Sequence, residues 1–309
     1  MVLARCFLAL VMLFGQQAVA EEGNILNRPV ERTYDIVVAS GYLKVGMYQN
    51  FPPYSYEVDG KAMGVDADVG RRIAKELGVE FRSHWIVPDE NLGDDLRNNV
   101  WKGHYLDKTR VADVMMRVPY DKKYAYMQDS TGEYINEQVV IFGPYQKETW
   151  QIAYDSQALD GVETIGVFQY HPMGVEIDTL PDLYLSSVFG GRLRNQVKHF
   201  FKVSEAFDAL QAGEVHGVMA MRAEIDHELG KLDGDRFRAA SNGFPNVGKQ
   251  VWDVGVAVKH THRQLGYAIE AIIDRMVREG EMAEVFARHG LRYDIPGYYD
   301  GLLETTAQE

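Results

Sequence analysis

Residues 43–82 read LKVGMYQNFPPYSYEVDGKAMGVDADVGRRIAKELGVEFR, and the fold class follows from them. Leu43 to Met47 is a short apolar strand. Asn50-Phe51-Pro52-Pro53-Tyr54 breaks it in an aromatic-proline turn, and Asp59-Gly60 is the tip of a hairpin. Gly64-Val65-Asp66-Ala67-Asp68 opens a helix whose Val69, Ile73, Ala74 and Leu77 recur at the spacing of one apolar face. Gly78 stops that helix, and the strand Val79-Glu80-Phe81 follows at once. Strand, helix, strand is a βαβ unit, the building block of a parallel sheet. Ligands of open sheets gather at the carboxyl ends of the strands, where the aromatic-proline turn stands.

Outward from this stretch, the chain begins with what reads as a targeting segment. Arg5 gives a positive start, Cys6 to Gly15 an apolar core too short for a membrane span, and Ala18-Val19-Ala20 a small-residue cleavage site. Removing residues 1–20 leaves about 290 residues, enough for two lobes of ordinary domain size. Cys6 is the only cysteine, so the mature chain has neither disulfides nor thiolate metal sites. The formal net charge is −13, with no basic stretch to offset it. That balance excludes nucleic-acid binding by counterion release and disfavours anionic lipid surfaces. A soluble, exported, monomeric protein is expected.

The rest of the chain repeats the α/β alternation. Asp89 to Trp101 reads as a helix, and Val111 to Met116 as a strongly apolar strand. Val139 to Phe142 reads as a strand closed by a Pro-centred turn at Phe142-Gly143-Pro144-Tyr145. Thr149 to Tyr154 and Thr164 to Phe168 read as strands, the latter running into Gln169-Tyr170-His171-Pro172. A helix from Asp182, a strand at His199 to Phe201, a helix from Ser204 to Ala212 and a strand at Val215 to Met221 follow. The chain closes with a strand at Trp252 to Val258 and two helices stopped by Gly280 and Gly290.

The order of these signatures resembles the type 2 periplasmic solute-binding proteins of ABC uptake systems, in the polar amino-acid cluster known as family 3. The residues that carry the likeness are the aromatic-proline turn with Gly64 to Asp68, then Ala112-Asp113-Val114, and Phe142-Gly143-Pro144-Tyr145. Ser204 to Val218 and Gly255-Val256-Ala257-Val258 with Gly280 and Phe286 complete it. The resemblance spans about residues 40–292 and implies a two-lobed Venus-flytrap of α/β class. Each lobe would be a mostly parallel sheet flanked by helices. Residues 33–151 with 253–309 would form lobe 1 and residues 152–252 lobe 2, with hinge strands at Thr149 to Tyr154 and Asp253 to Val258. It also implies a small-molecule ligand and an ABC permease as partner.

Three departures from the family's pattern bear on the ligand. Members that hold α-amino acids carry a hydroxyl residue and, three residues on, an Arg that grips the ligand carboxylate in bidentate fashion. Pro119 and Lys122 stand at those positions. The anion-holding helix start of lobe 2 is replaced by Tyr170-His171-Pro172, and the ammonium-binding Asp by Ala220-Met221-Arg222. The implied solute is therefore not a standard α-amino acid. The candidate ligand contacts are Phe51, Tyr54, Trp101, Lys122, Gln169, Tyr170, His171, Met221 and Arg222, with Arg222 aimed at an anion. Asp66 and Asp68 read first as helix-capping acids.

The Trp101-Lys102-Gly103-His104 stretch is also similar to a subgroup found beside quinoprotein alcohol dehydrogenases and c-type cytochromes. That likeness implies the alternative of a periplasmic accessory protein for such a dehydrogenase, without a transport role. Asp89, Glu90, Asp94, Asp95, His104 and Asp107 are hard ligands close in sequence, but they follow no recognised metal-binding spacing and read as a solvated face. No catalytic or phosphate-binding motif is present, so neither an enzyme nor a cofactor is expected.

Overall fold

A computed structural model describes residues 30–241, 244 and 247–300. The expected targeting segment lies outside the described residues. The first part of the chain contributes α1 (Tyr34–Ser40), β1 (Tyr42–Tyr48), the hairpin β2 (Tyr56–Val58) and β3 (Lys61–Met63), α2 (Val65–Glu76) and β4 (Glu80–Ile86). It continues through α3 (Leu92–Leu96), β5 (Val114–Pro119), α4 (Lys122–Ala125) and the long β6 (Val139–Asp155). The second part adds β7 (Met173–Glu176), α5 (Leu180–Gly191), β8 (Val197–Phe200), α6 (Val203–Gln211), β9 (Gly217–Met221), α7 (Arg222–Leu229) and β10 (Phe237–Ala239). The chain returns through β11 (Val251–Lys259), α8 (Arg263–Arg278) and α9 (Glu281–Arg288).

The main sheet runs in the order β4-β1-β5-β11-β6-β9-β7-β8, with β10 beside β6. β1 lies parallel to both β4 and β5, and β7 parallel to both β8 and β9. The two parallel groups meet through β6. Its residues from Val139 to Thr149 pair with β11, and those from Trp150 to Tyr154 pair with β9. One strand therefore passes from one half to the other. Each half buries its own apolar clusters. One cluster joins Val45, Val69, Ile73, Val256, Ile269 and Phe286, and another joins Ile152, Phe168, Val175, Leu185 and Met219. Met221 and Trp252 pack against both of these.

The opening βαβ unit forms as its spacing requires. The hairpin tip uses Asp59 at φ 50° and Gly60 at φ 74°, the left-handed pair of a two-residue type I′ turn. Four expected elements differ. Thr164 to Phe168 is not a strand but part of a short 3-10 turn, Ile165–Gln169. Ile165 and Phe168 are both buried, and that i, i+3 spacing belongs to a helical turn whatever the β-branched content suggests. The apolar strand near Val111 begins three residues late, at Val114; the Ala112 N–H donates to the Asn99 carbonyl rather than to a neighbouring strand, and the Asp113 N–H donates to Lys44 O of β1. Asp113 accepts from the buried Arg32 side chain at 2.6 Å and from the Lys44 backbone N–H at 2.7 Å.

The Pro-centred turn at Phe142 to Tyr145 is instead a bulge inside one continuous strand. Val254 pairs with Gln146 and Val256 with Phe142, so β6 carries two extra residues there. Gly143 takes φ 49° in the bulge, and Pro144 needs no ladder donor at such a place. The helix expected over Asp89 to Trp101 is α3 followed by a π-helical turn, Arg97–Trp101. Among the described residues no helix is long and apolar enough to cross a membrane.

Candidate functional site

Polar side chains from both halves converge, buried, around β5, β6 and the starts of α2 and α7. At the centre is Arg117, an arginine inside the otherwise apolar run of β5. Its φ of 62° places a bulky residue in the left-handed region, where strain is retained only under constraint from the surroundings. The guanidinium donates to Gln146 Oε1 at 2.8 Å and lies 3.6 Å from Glu148 Oε2 and 4.0 Å from Asp66 Oδ1. It stacks 3.4 Å above the Tyr54 ring, with the Phe51 ring at 5.8 Å.

The neighbours are cross-linked. Gln146 and Glu148 sit two apart on β6, so the strand's period of two puts both side chains on one face. Gln146 Nε2 donates to Glu148 Oε2 at 2.6 Å, and the Tyr54 hydroxyl donates to the same oxygen. The Tyr145 hydroxyl donates to Asp66 Oδ1 at 2.8 Å. Asp66 Oδ2 is buried and, among the described residues, has no hydrogen-bond partner. Asp66 is thus more than a helix cap, since Gly64 holds the N-cap position of α2.

The second half brings a different carboxylate. Glu224, in the first turn of α7, is 7% exposed and accepts the Met221 backbone N–H at 3.2 Å. Burial, with Glu176 and Glu148 nearby, pushes its carboxyl up to about 8. Burial also pushes Asp66 up to about 6, against the pull of Arg117. Glu176, at the carboxyl end of β7, is raised by burial too. Burial works against the charge of Arg117, but Tyr54, Asp66, Tyr145 and Glu148 more than offset it, so the guanidinium stays protonated. The site is therefore a buried arginine ringed by more acid than it neutralises.

The structure draws some of the sequence candidates together and disperses others. Phe51 and Tyr54 stand against Arg117, with Tyr54 wholly buried beneath it. Met221 lies between the two apolar clusters, beside Trp150 on β6. Arg222 is buried but turned away. It donates to the Asp294 carboxylate and to the carbonyls of Lys147 and Arg292, which ties α7 to the C-terminal segment. Among the described residues its Nε, also buried, has no hydrogen-bond partner. Lys122 is exposed on α4, and Trp101 packs on a core with Ile86, Leu96 and Val100.

Gln169, Tyr170 and His171 precede β7 rather than follow a strand. The expected strand before them is the 3-10 turn, which moves them to the end of β7 opposite Glu176. Tyr170 is 82% exposed, and His171 Nδ1 lies 2.9 Å from His216 Nδ1. The helix start at the carboxyl end of β7 is at Thr179, whose hydroxyl accepts the Asp182 N–H. The acidic run also disperses. Asp95 accepts from Tyr48 and the Asp89 N–H, Asp94 pairs with Arg97, and Asp107 accepts from Thr109. Among the described residues no three His, Cys, Asp or Glu side chains form a metal-holding group.

Sequence reasoning did not single out Arg117, Gln146, Glu148, Glu176 or Glu224. One signal was available: an arginine within Val114-Met115-Met116-Arg117-Val118 interrupts a run that otherwise reads as fully buried. A charge there needs buried partners.

Similarity to known proteins agrees with this architecture. A probable ABC transporter arginine-binding protein of Chlamydia trachomatis is 22% identical over 255 residues, 80% of this chain and 85% of that protein. An ancestral cationic amino acid solute-binding protein superposes with a TM-score of 0.62 at 16% identity, over 82% of this chain and 98% of the other. A Streptococcus pneumoniae amino acid ABC transporter substrate-binding protein, solved bound to L-arginine, superposes with a TM-score of 0.61 at 16% identity, over 85% and 99%. The profile of the bacterial extracellular solute-binding proteins, family 3, matches residues 43–292. The chain belongs to that family.

Proposed function

We propose that the protein is a periplasmic receptor that closes two lobes on a small polar solute for an ABC uptake system, and that this solute is not a standard α-amino acid. Export would follow cleavage after Ala20. Lobe 1 comprises residues 33–151 with 253–309 and lobe 2 residues 152–252. The separate apolar clusters of the two halves support that division, and the paired strands β6 and β11 are the natural hinge. The rings of Trp150 and Trp252 meet across this pair, tilted by 49° with centroids 4.7 Å apart.

One observation carries the exclusion of α-amino acids. The guanidinium at the junction, Arg117, is already engaged by Gln146 and Glu148, and Lys122 stands exposed at the position that the family resemblance reserves for the carboxylate-gripping arginine. A ligand carboxylate entering the cluster would meet Asp66 and Glu148, and like charges in a buried site repel strongly. Titration calorimetry of ligand-stripped mature protein with the twenty amino acids tests this, with tryptophan fluorescence as a second readout. The expected result is no dissociation constant tighter than about 1 mM. Micromolar binding of L-arginine or any other amino acid would overturn it.

A further inference from the structure

The junction holds more carboxyl groups than cations. Asp66 comes from α2, Glu148 from β6, Glu176 from β7 and Glu224 from α7, against the single guanidinium of Arg117. Arg117 lies nearest Glu148 and Asp66. Arg222, two residues before Glu224, is committed to Asp294, and His289 is hydrogen-bonded to Asp68. A second, independent feature points the same way. Asp66 is completely buried, yet among the described residues its Oδ2 accepts no hydrogen bond. A buried carboxylate oxygen without a donor is rare, and an N–H of a cationic ligand would satisfy it.

We infer that the solute is a small organic cation lacking a carboxylate, an amine or guanidino compound, whose charged head seats among Asp66, Glu148 and Glu224. The inference rests on the receptor reading above and names its ligand class. It brings a proton linkage. Burial, together with Glu176 on β7 and Glu148 on β6, raises the Glu224 carboxyl to about 8, while Arg117 on β5 acts in the opposite sense. At pH 7 that carboxyl is mostly protonated. A cation beside it favours the carboxylate, so the proton leaves to the buffer as the ligand enters. Because the ligand-free group is protonated below about pH 8, affinity rises as pH rises toward that value and levels off above it.

The test is calorimetry at pH 7 in phosphate and in Tris, using methylammonium, putrescine and agmatine as probes. L-ornithine and L-arginine serve as the carboxylate-bearing counterparts of the last two, with malonate and glycerol as anionic and neutral controls. At least one cation is expected to bind in the micromolar range, with apparent enthalpies that differ between buffers by the heat of nearly one proton released. Glu224→Gln is expected to weaken that cation about tenfold or more and to remove the buffer dependence. The buffer comparison on the unsubstituted protein stands even if the variant misfolds. Silence of all three cations at 10 mM, or binding without proton release, would overturn the inference. Binding of malonate or glycerol in their place would do so too, while leaving the small-solute receptor standing. L-arginine binding more tightly than agmatine would instead overturn the exclusion of α-amino acids.

Discussion

Replacing Arg117 with methionine is expected to destabilise the protein by about 3–5 kcal/mol at pH 7, measured by urea unfolding. Methionine keeps much of the aliphatic packing against Tyr54 and removes only the charge and its donors. What remains is the cost. Asp66 and Glu148 are both completely buried, and among the described residues neither has a cation other than Arg117 within 4.0 Å. Gln146 would also lose the donor it accepts at 2.8 Å. The pH dependence gives the claim a sign. Burial already holds the Asp66 carboxyl at about 6, and losing the cation raises it further above its unfolded value. Its contribution is then favourable below the unfolded pKa and is lost as pH rises through the folded one. The deficit of the variant should therefore shrink below about pH 5 and be fully developed at pH 7. A loss under about 1 kcal/mol at pH 7 would mean that the carboxyls tolerate burial without Arg117.

Gly64→Ala is expected to cost roughly 3 kcal/mol or more, read as a fall in urea midpoint and melting temperature. Gly64 has φ +105°, and a Cβ there would lie 2.3 Å from the carbonyl oxygen of Tyr54 and 2.8 Å from that of Pro53. Neither carbonyl is free to move. Tyr54 O accepts the Asp66 N–H at 2.9 Å and Pro53 O accepts the Val65 N–H at 3.2 Å, which are the bonds that start α2. A shift of Tyr54 would also disturb the ring beneath Arg117. Gly60→Ala is the control. It has φ +74° but no atom within 4 Å of the added carbon, so it bears only the left-handed strain of about 1–2 kcal/mol. Equal effects at the two positions would show that steric contact at Tyr54 is not what Gly64 avoids.

The difference between Gly60 and Gly64 also marks what was legible before the fold was known. The Asp59-Gly60 tip, the face Val69-Ile73-Ala74 and the helices ended by Gly280 and Gly290 are local patterns, set by turn chemistry and helical period. They were readable one stretch at a time. The bulge at Gly143 was not, because the strand continues only through pairing with β11, more than a hundred residues on. The junction was harder still. Arg117, Glu148 and Glu224 have no mutual spacing in the chain, and their chemistry exists only once β5, β6 and α7 meet. Arg222 shows the converse. It follows β9 directly and looked like the anion contact, but Asp294 from the C-terminal segment takes it. Tyr170 and His171 were displaced by a single misread element, the Ile165–Gln169 turn, which reversed the end of the strand to which they belong.

The central claim is that a solute seats at this junction without an α-carboxylate grip. A crystal structure of the mature protein purified from its own cells without denaturation, so that its natural solute stays bound, tests that most directly. The expected result is one small molecule enclosed between the two lobes, in contact with Glu224 and the Arg117 cluster and carrying no carboxylate against either. An α-amino acid held there through its carboxylate, or a solute bound away from Arg117 and Glu224, would contradict the account.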